Sequence, residues 1–322
     1  MFTDILLLLV GLALITFASD WLVDGSSAIA RKSGMSEFVI GMTIVGIGTS
    51  MPELVSSLFS AFEGHGDMAI GNVTGSNICN TLLILGVTAL ISPLAYPRNN
   101  IRRDIPICIA ATGLVSIMIY SWFTSRTPIG LNRLDGVILL VLWILFMIYS
   151  FRTGKADPAT SSNCEKEPVK EMSTFRAILL CVLGIGGLVI GGHLFVDKAI
   201  DVAKEIGVSD AFIAVTLMAF GTSVPELATC IVAAAKKKND LALGNIIGSN
   251  ISNILLILGA TASITPLCVV TLTQVDMGLF ILSSVFLLTA AWFFRKKVLD
   301  RGDAVLYLIL YGAYMVWLVS IQ

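Results

Sequence analysis

The sequence predicts an all-α integral membrane protein of ten transmembrane helices, arranged as two inverted five-helix repeats. Three observations predict it. Of 322 residues, 56% are hydrophobic and 13% charged, with mean hydropathy +0.89, which is too apolar for a water-soluble domain. The apolar runs reach about 20 residues, enough to cross a bilayer. Residues 41–93 align without a gap onto residues 214–266, with 26 identities in 53 positions at a constant offset of 173.

Charge, Gly and Pro punctuate the runs and place the spans at 3–30, 37–62, 68–91, 104–122, 132–151, 174–203, 209–235, 241–264, 274–294 and 303–321. The first run begins at Asp4 without a basic lead and passes Asp20 without a small-residue cleavage site, so a retained helix is expected over a signal peptide. Between spans five and six, residues 152–173 are polar, carry Pro158 and Pro168, and read as a linker between a first half, 1–151, and a second half, 174–322. Loops on alternate sides divide the 21 Lys and Arg residues 17 to 4. The richer side holds Arg31, Lys32, Arg98, Arg102, Arg103, the linker set from Arg152 to Arg176, Lys236 to Lys238 and Arg295 to Arg301. The positive-inside rule makes that side cytoplasmic, leaving both termini outside a cell (inner) membrane. Six cysteines lack CxxC spacing and read as packing residues, without disulfide or zinc chemistry.

Five spans per half is an odd number, so the second half enters the membrane from the opposite side and the repeats are inverted. Their identities fall on polar residues as well as leucine. GTSMPEL at 48–54 matches GTSVPEL at 221–227, and GNVTGSNICNTLLILG at 71–86 matches GNIIGSNISNILLILG at 244–259. Inverted repeats bring equivalent motifs together near the midplane.

Glu53 and Glu226 each lie within an apolar run, where an acidic charge costs about 2.5–3.5 kcal/mol on insertion scales. No Lys, Arg or His lies in these core motifs to pair with them. Pro52 and Pro225 precede the glutamates; a proline inside a helix removes one N–H and crowds the carbonyl four residues back, here Gly48 or Gly221, freeing backbone oxygen. Thr49, Ser50 and Glu53 fall within one turn, as do Thr222, Ser223 and Glu226, so their oxygens can converge. In the next span Asn72, Ser76 and Asn80 repeat every four residues, as do Asn245, Ser249 and Asn253, forming a polar stripe on one face. Gly71 and Gly75, with Gly244 and Gly248, permit close helix approach. Taken alone, the stripe has a serious alternative reading as interhelical glue. With the glutamates beside it, the inventory is oxygen only, which suits a hard cation and calcium's flexible shell over magnesium's octahedron, and disfavours zinc or copper. His65 and His193 read as structural, and Asp20, Asp24 and Asp197 as solvated faces near helix ends.

The paired G-T-S-x-P-E-L and G-N-x-x-G-S-N-x-x-N motifs closely resemble the two alpha repeats of the cation/calcium antiporter superfamily, particularly its prokaryotic sodium/calcium exchangers. The likeness covers the whole chain. It implies that Glu53 and Glu226 bind calcium and sodium alternately, helped by Thr49, Ser50, Ser76, Asn80, Thr222, Ser223, Ser249 and Asn253 and by the backbone carbonyls of Gly46 and Ala219. It implies no cofactor, with Ca2+ and Na+ as cargo, lipid as the surrounding partner and a monomer as the working unit. Potassium-dependent members carry Asp where this sequence has Asn253, so potassium coupling is not expected. The short linker has no room for calcium-sensing domains. Competing readings are calcium/proton exchange, a passive channel and an intramembrane acid/base enzyme. The symmetry opposes the enzyme, because a general acid and a general base need unlike environments.

Overall fold

The computed structural model describes residues 2–96, 100–120, 130–155, 172–207, 219–269, 273–292 and 298–320. Long apolar runs without internal proline give the two longest helices, α1 (Phe2–Ser33) and α7 (Thr174–Glu205), of 32 residues each. At 1.5 Å per residue each is about 48 Å long, more than the hydrocarbon thickness, so they tilt or project. The expected second span is a broken pair, α2 (Glu37–Thr49) and α3 (Met51–Phe62), bent by 43°. Then follow α4 (Gly66–Ile91), α5 (Arg102–Tyr120) and α6 (Arg133–Thr153). After α7 a helical turn, Ala219–Gly221, leads to α8 (Val224–Ala235), then α9 (Asn239–Ile264), α10 (Gln274–Trp292) and α11 (Arg301–Ser320).

Every expected span therefore meets a helix, although the first part of 209–235 and most of the linker lie outside the described residues. Among the described residues seven helices are long and apolar enough to cross a membrane by themselves, and the broken pair makes an eighth. Val224–Ala235 and the apolar stretch Gln274–Leu288 are shorter.

Side-chain burial places α9 at the centre. Its most apolar window is 94% buried, against 28% for α1 and α7 and 22% for α11. The peripheral helices show Phe17, Val141, Leu183, Ile190, Ile309 and Val316 on their outer faces, an apolar surface that lipid covers. Glycines allow the central contact between α2 and α9. A Cβ on Gly244 or Gly248 would overlap the carbonyl oxygens of Phe38 or Met42, and one on Gly41 would overlap that of Leu241. Gly71 and Gly75 face open space within 4 Å among the described residues, and their expected partners in 211–218 lie outside them.

α1 and α7 run antiparallel, since Asp4 meets Lys198 at 3.2 Å and Lys32 meets Thr174 at 3.2 Å. Their backbones touch through Gly11, Gly25, Gly184 and Gly191. Short strands tie the two halves at their ends: β1 (Leu94–Ala95) pairs antiparallel with β4 (Val298–Leu299), and β2 (Gly130–Leu131) with β3 (Leu267–Cys268). Described basic residues expected on one side, among them Lys155, Arg103 and Arg301, lie at ends of the helices that contact one another. Met35 bridges Lys155, Arg103 reaches Thr153 at 2.8 Å, and Arg301 reaches the Leu90 carbonyl at 3.2 Å.

Lys236 pairs with both Asp20 and Asp24 of α1 at 2.7 Å, and Lys238 with Glu37 at 2.8 Å. Asp20 and Asp24 are thus ion-paired rather than simply solvated, because the α8 end brings Lys236 beside α1. Asp197 is exposed, as expected of a solvated face, and so are His65 and His193, which were read as structural. The five described cysteines are free.

Candidate functional site

The break between α2 and α3 falls at Ser50 (φ −84°, ψ 9°), and its counterpart before α8 at Ser223 (φ −89°, ψ 4°). Proline was expected to kink a continuous helix at each place. Instead Pro52 and Pro225 sit in the first turn of a new helix, where a missing N–H costs nothing. The change matters chemically, because Glu53 and Glu226 now lie in first turns. There the positive end of the helix dipole favours a carboxylate.

The two carboxylates are buried and interlocked across the halves. Ser50 Oγ donates to Glu226 Oε1 at 3.0 Å, and Ser223 Oγ donates to Glu53 Oε1 at 3.4 Å. Helical spacing suggested that each serine would join the glutamate of its own motif; each instead serves the other. One step further out, Thr49 donates to Asn245 Oδ1 at 3.2 Å and Thr222 to Asn72 Oδ1 at 3.4 Å. Asn72 also donates to Ser57 Oγ at 3.1 Å, and Asn245 to Cys230 Sγ at 3.2 Å. Cys230, read as packing alone, thus holds a site asparagine where the first half uses a serine.

Backbone oxygen enters as well. The Gly46 carbonyl accepts from Ser249 Oγ at 3.3 Å and from Thr49 Oγ1 at 3.5 Å. Ala219 opens the helical turn before Gly221, directly after the undescribed 208–218. Ser76, Asn80, Ser249 and Asn253 are all buried on α4 and α9. Asn80 lies in a π-helical stretch, Cys79–Ile84, and Asn253 begins another, Asn253–Ile257. Such wide turns recur at functional sites; the sequence carried no period that would reveal them.

Two residues absent from the helical stripe also belong here. Asn77 and Asn250 stand one position beyond Ser76 and Ser249, on a neighbouring face, so a four-residue spacing passes over them. Their presence in both GSN motifs was the available signal. Asn80 Nδ2 donates to Asn250 Oδ1 at 3.1 Å, and Asn253 Nδ2 to Asn77 Oδ1 at 2.9 Å.

Among the described residues, five oxygens of this cluster are buried without a hydrogen-bond partner: Glu53 Oε2, Glu226 Oε2, Ser76 Oγ, Asn80 Oδ1 and Asn253 Oδ1. Buried polar atoms are normally satisfied, and unscreened carboxylates at close range repel strongly at low dielectric. A cation answers both needs. Among the described residues no group of three or more His, Cys, Asp or Glu could hold a metal, so the acidic charge here rests on the two glutamates.

Broken helices that bring buried oxygens together inside a lipid-facing bundle form the architecture of a membrane cation transporter. The chain belongs to the sodium/calcium exchanger protein family, whose family model matches residues 3–152 and 176–320. It is similar to the sodium/calcium exchanger MaX1 of Methanosarcina acetivorans, 33% identical over 97% of each chain. It is also similar to the inner membrane protein YrbG of Escherichia coli, 36% identical over 97% of this chain and 94% of that one. In structure it resembles the sodium-calcium exchanger NCX_Mj, with a TM-score of 0.82, 33% identity and 97% of each chain covered.

Proposed function

We propose that this protein is a secondary active antiporter that exchanges sodium for calcium by alternating access. The observation that carries the reading is the set of five unpartnered oxygens around Glu53 and Glu226. Two carboxylates balance the charge of one calcium ion. Hydroxyl, amide and carbonyl oxygens complete the larger shell that calcium takes. The same neutral oxygens suit sodium on the return leg, when calcium has left. The ligands are Glu53, Glu226, Thr49, Ser50, Ser76, Asn80, Thr222, Ser223, Ser249 and Asn253, with the carbonyls of Gly46 and Ala219.

In this reading the ten helices form two inverted halves, 1–151 and 174–322, joined by a cytoplasmic linker at 152–173. The antiparallel α1 and α7, equivalent in the two halves, support inversion, as does the reciprocal bonding of Ser50 and Ser223. The 17-residue basic side lies inward. The chain works as a monomer in the cell membrane.

The test is calcium flux into proteoliposomes under separately imposed sodium and proton gradients. Uptake driven by an outward sodium gradient is expected. Uptake driven only by protons in sodium-free buffer would show calcium/proton exchange and overturn the sodium assignment.

A further inference from the structure

We propose that Asn77 and Asn250 are positioning residues that set which face of Asn80 and Asn253 the transported cation meets. The proposal rests on the reading that Asn80 and Asn253 ligate that cation. An asparagine side chain carries an acceptor oxygen on one side and an NH2 donor on the other. Only the oxygen can ligate a cation, and a flipped amide would direct its N–H groups at the ion. Something must therefore hold the amide in one sense.

The bonding pattern supplies it. Asn80 commits its Nδ2 to Asn250 Oδ1, and Asn253 its Nδ2 to Asn77 Oδ1, at 3.1 and 2.9 Å. Among the described residues the Oδ1 atoms of Asn80 and Asn253 are left buried and without a hydrogen-bond partner. The orienting residues are themselves tied. Asn77 Nδ2 donates to the backbone carbonyl of Asn250 at 3.1 Å, and Asn250 Nδ2 donates to Thr81 Oγ1 at 3.0 Å. A backbone carbonyl cannot act as a donor, so it fixes Asn77 in one sense, and Asn77 then fixes Asn253. Both orienting side chains are at most 3% exposed, so water does not compete. The two arms differ at their roots. Thr81 corresponds to Ile254, so Asn250 rests on a hydroxyl that can rotate, whereas Asn77 rests on the main chain.

Outer-shell groups that orient metal ligands typically cost about 10–100-fold in affinity when removed. Calcium binding to purified full-length protein is measured by titration calorimetry, with Glu53→Gln as the reference for the site itself. Asn77→Leu and Asn250→Leu are each expected to weaken binding by about tenfold or more. Each effect should vanish in its own partner's background. Asn77→Leu should change affinity less than about twofold when Asn253→Ala is already present, and Asn250→Leu likewise beside Asn80→Ala. Crossed pairs should multiply. Thr81→Val should weaken binding through the Asn80 arm alone, its effect disappearing in Asn80→Ala.

A general packing role would instead multiply with every partner, and that result would overturn the proposal. So would single variants that bind calcium as the parent does. If Glu53→Gln also binds normally, the site reading falls with it; if Glu53→Gln abolishes binding while Asn77→Leu and Asn250→Leu do not weaken it, only the orienting role falls. Folding is checked by size-exclusion profile and calcium-free melting. Where a leucine variant is not monodisperse, Asn77→Ser or Asn250→Ser, which withdraws the accepting oxygen, enters the same cycle.

Discussion

Ser50 Oγ lies 3.0 Å from Glu226 Oε1, although 176 residues separate them in sequence. Its counterpart Ser223 reaches Glu53 in return. Each half of the molecule thus supplies a hydrogen bond to the other half's charge, and neither motif holds a finished site alone.

In the proposed site the glutamates carry the charge. Glu53→Gln and Glu226→Gln should each reduce calcium uptake to background while leaving expression intact. Removing one partner from a buried charge pair costs about 3–5 kcal/mol, more than about a hundredfold in affinity. Isotope uptake by reconstituted vesicles checks this, and normal transport by either variant would displace the site.

The reciprocal serines are neutral, so their loss should be milder. Ser50→Ala and Ser223→Ala should each raise the calcium concentration for half-maximal uptake by about fivefold, from about 1 kcal/mol per hydrogen bond. Concentration series on both variants measure it. Unequal effects would mean that the two carboxylates do not share the ion evenly.

Asn253 is neutral where potassium-dependent members of the superfamily carry Asp. The core then has a formal charge of at most −2, and potassium added beside calcium would leave positive charge uncompensated at low dielectric. Calcium uptake into sodium-loaded vesicles, with voltage clamped, should be the same in potassium and in choline. An absolute potassium requirement would overturn this expectation, and Asn253→Asp is the variant in which sensitivity should first emerge.

The contact between α2 and α9 is made at backbone distance. Gly248→Ala would drive its Cβ into the Met42 carbonyl and Gly244→Ala into that of Phe38. Overpacking of this kind costs about 1–3 kcal/mol, so both variants should lower the melting temperature in detergent.

The proposed orientation rests on the basic loops. A cysteine at position 160 should react only with permeant reagents, and one appended beyond Ile321 with impermeant reagents added outside. Labelling of both from one side would break the odd span count and the inversion.

Much of this was legible because the chain states its plan twice. Glu53 and Glu226 stood out by being acidic, apolar in context and repeated. The cross-bonding of Ser50 was not legible, since helical spacing describes neighbours within one segment and the serine's partner lies in another. The helix break was partly legible. Pro52 announced a disturbance, but whether a proline kinks one helix or starts the next depends on the ψ angle at Ser50, which packing decides. Asn77 and Asn250 escaped because they lie off the stripe, and the π-helical turns at Asn80 and Asn253 leave no mark in hydrophobic spacing.

Lys236 bonds two carboxylates of α1, but its counterpart across the repeat is Glu63, and the residue matching Asp24 is Asp197. A molecule of two identical inverted halves would have isoenergetic open forms, one facing each compartment. This one carries a charge clasp at one end and, at the matching positions of the other, Glu63, Asp197 and His193, with no lysine among them. Partly exposed ion pairs of this kind contribute about 1 kcal/mol, which would be roughly a fivefold tilt in the populations, and added salt would erode it. Under the proposed alternating access, the balance between the two open forms would then respond to solution electrolytes at the rim, separately from the affinity of the proposed site.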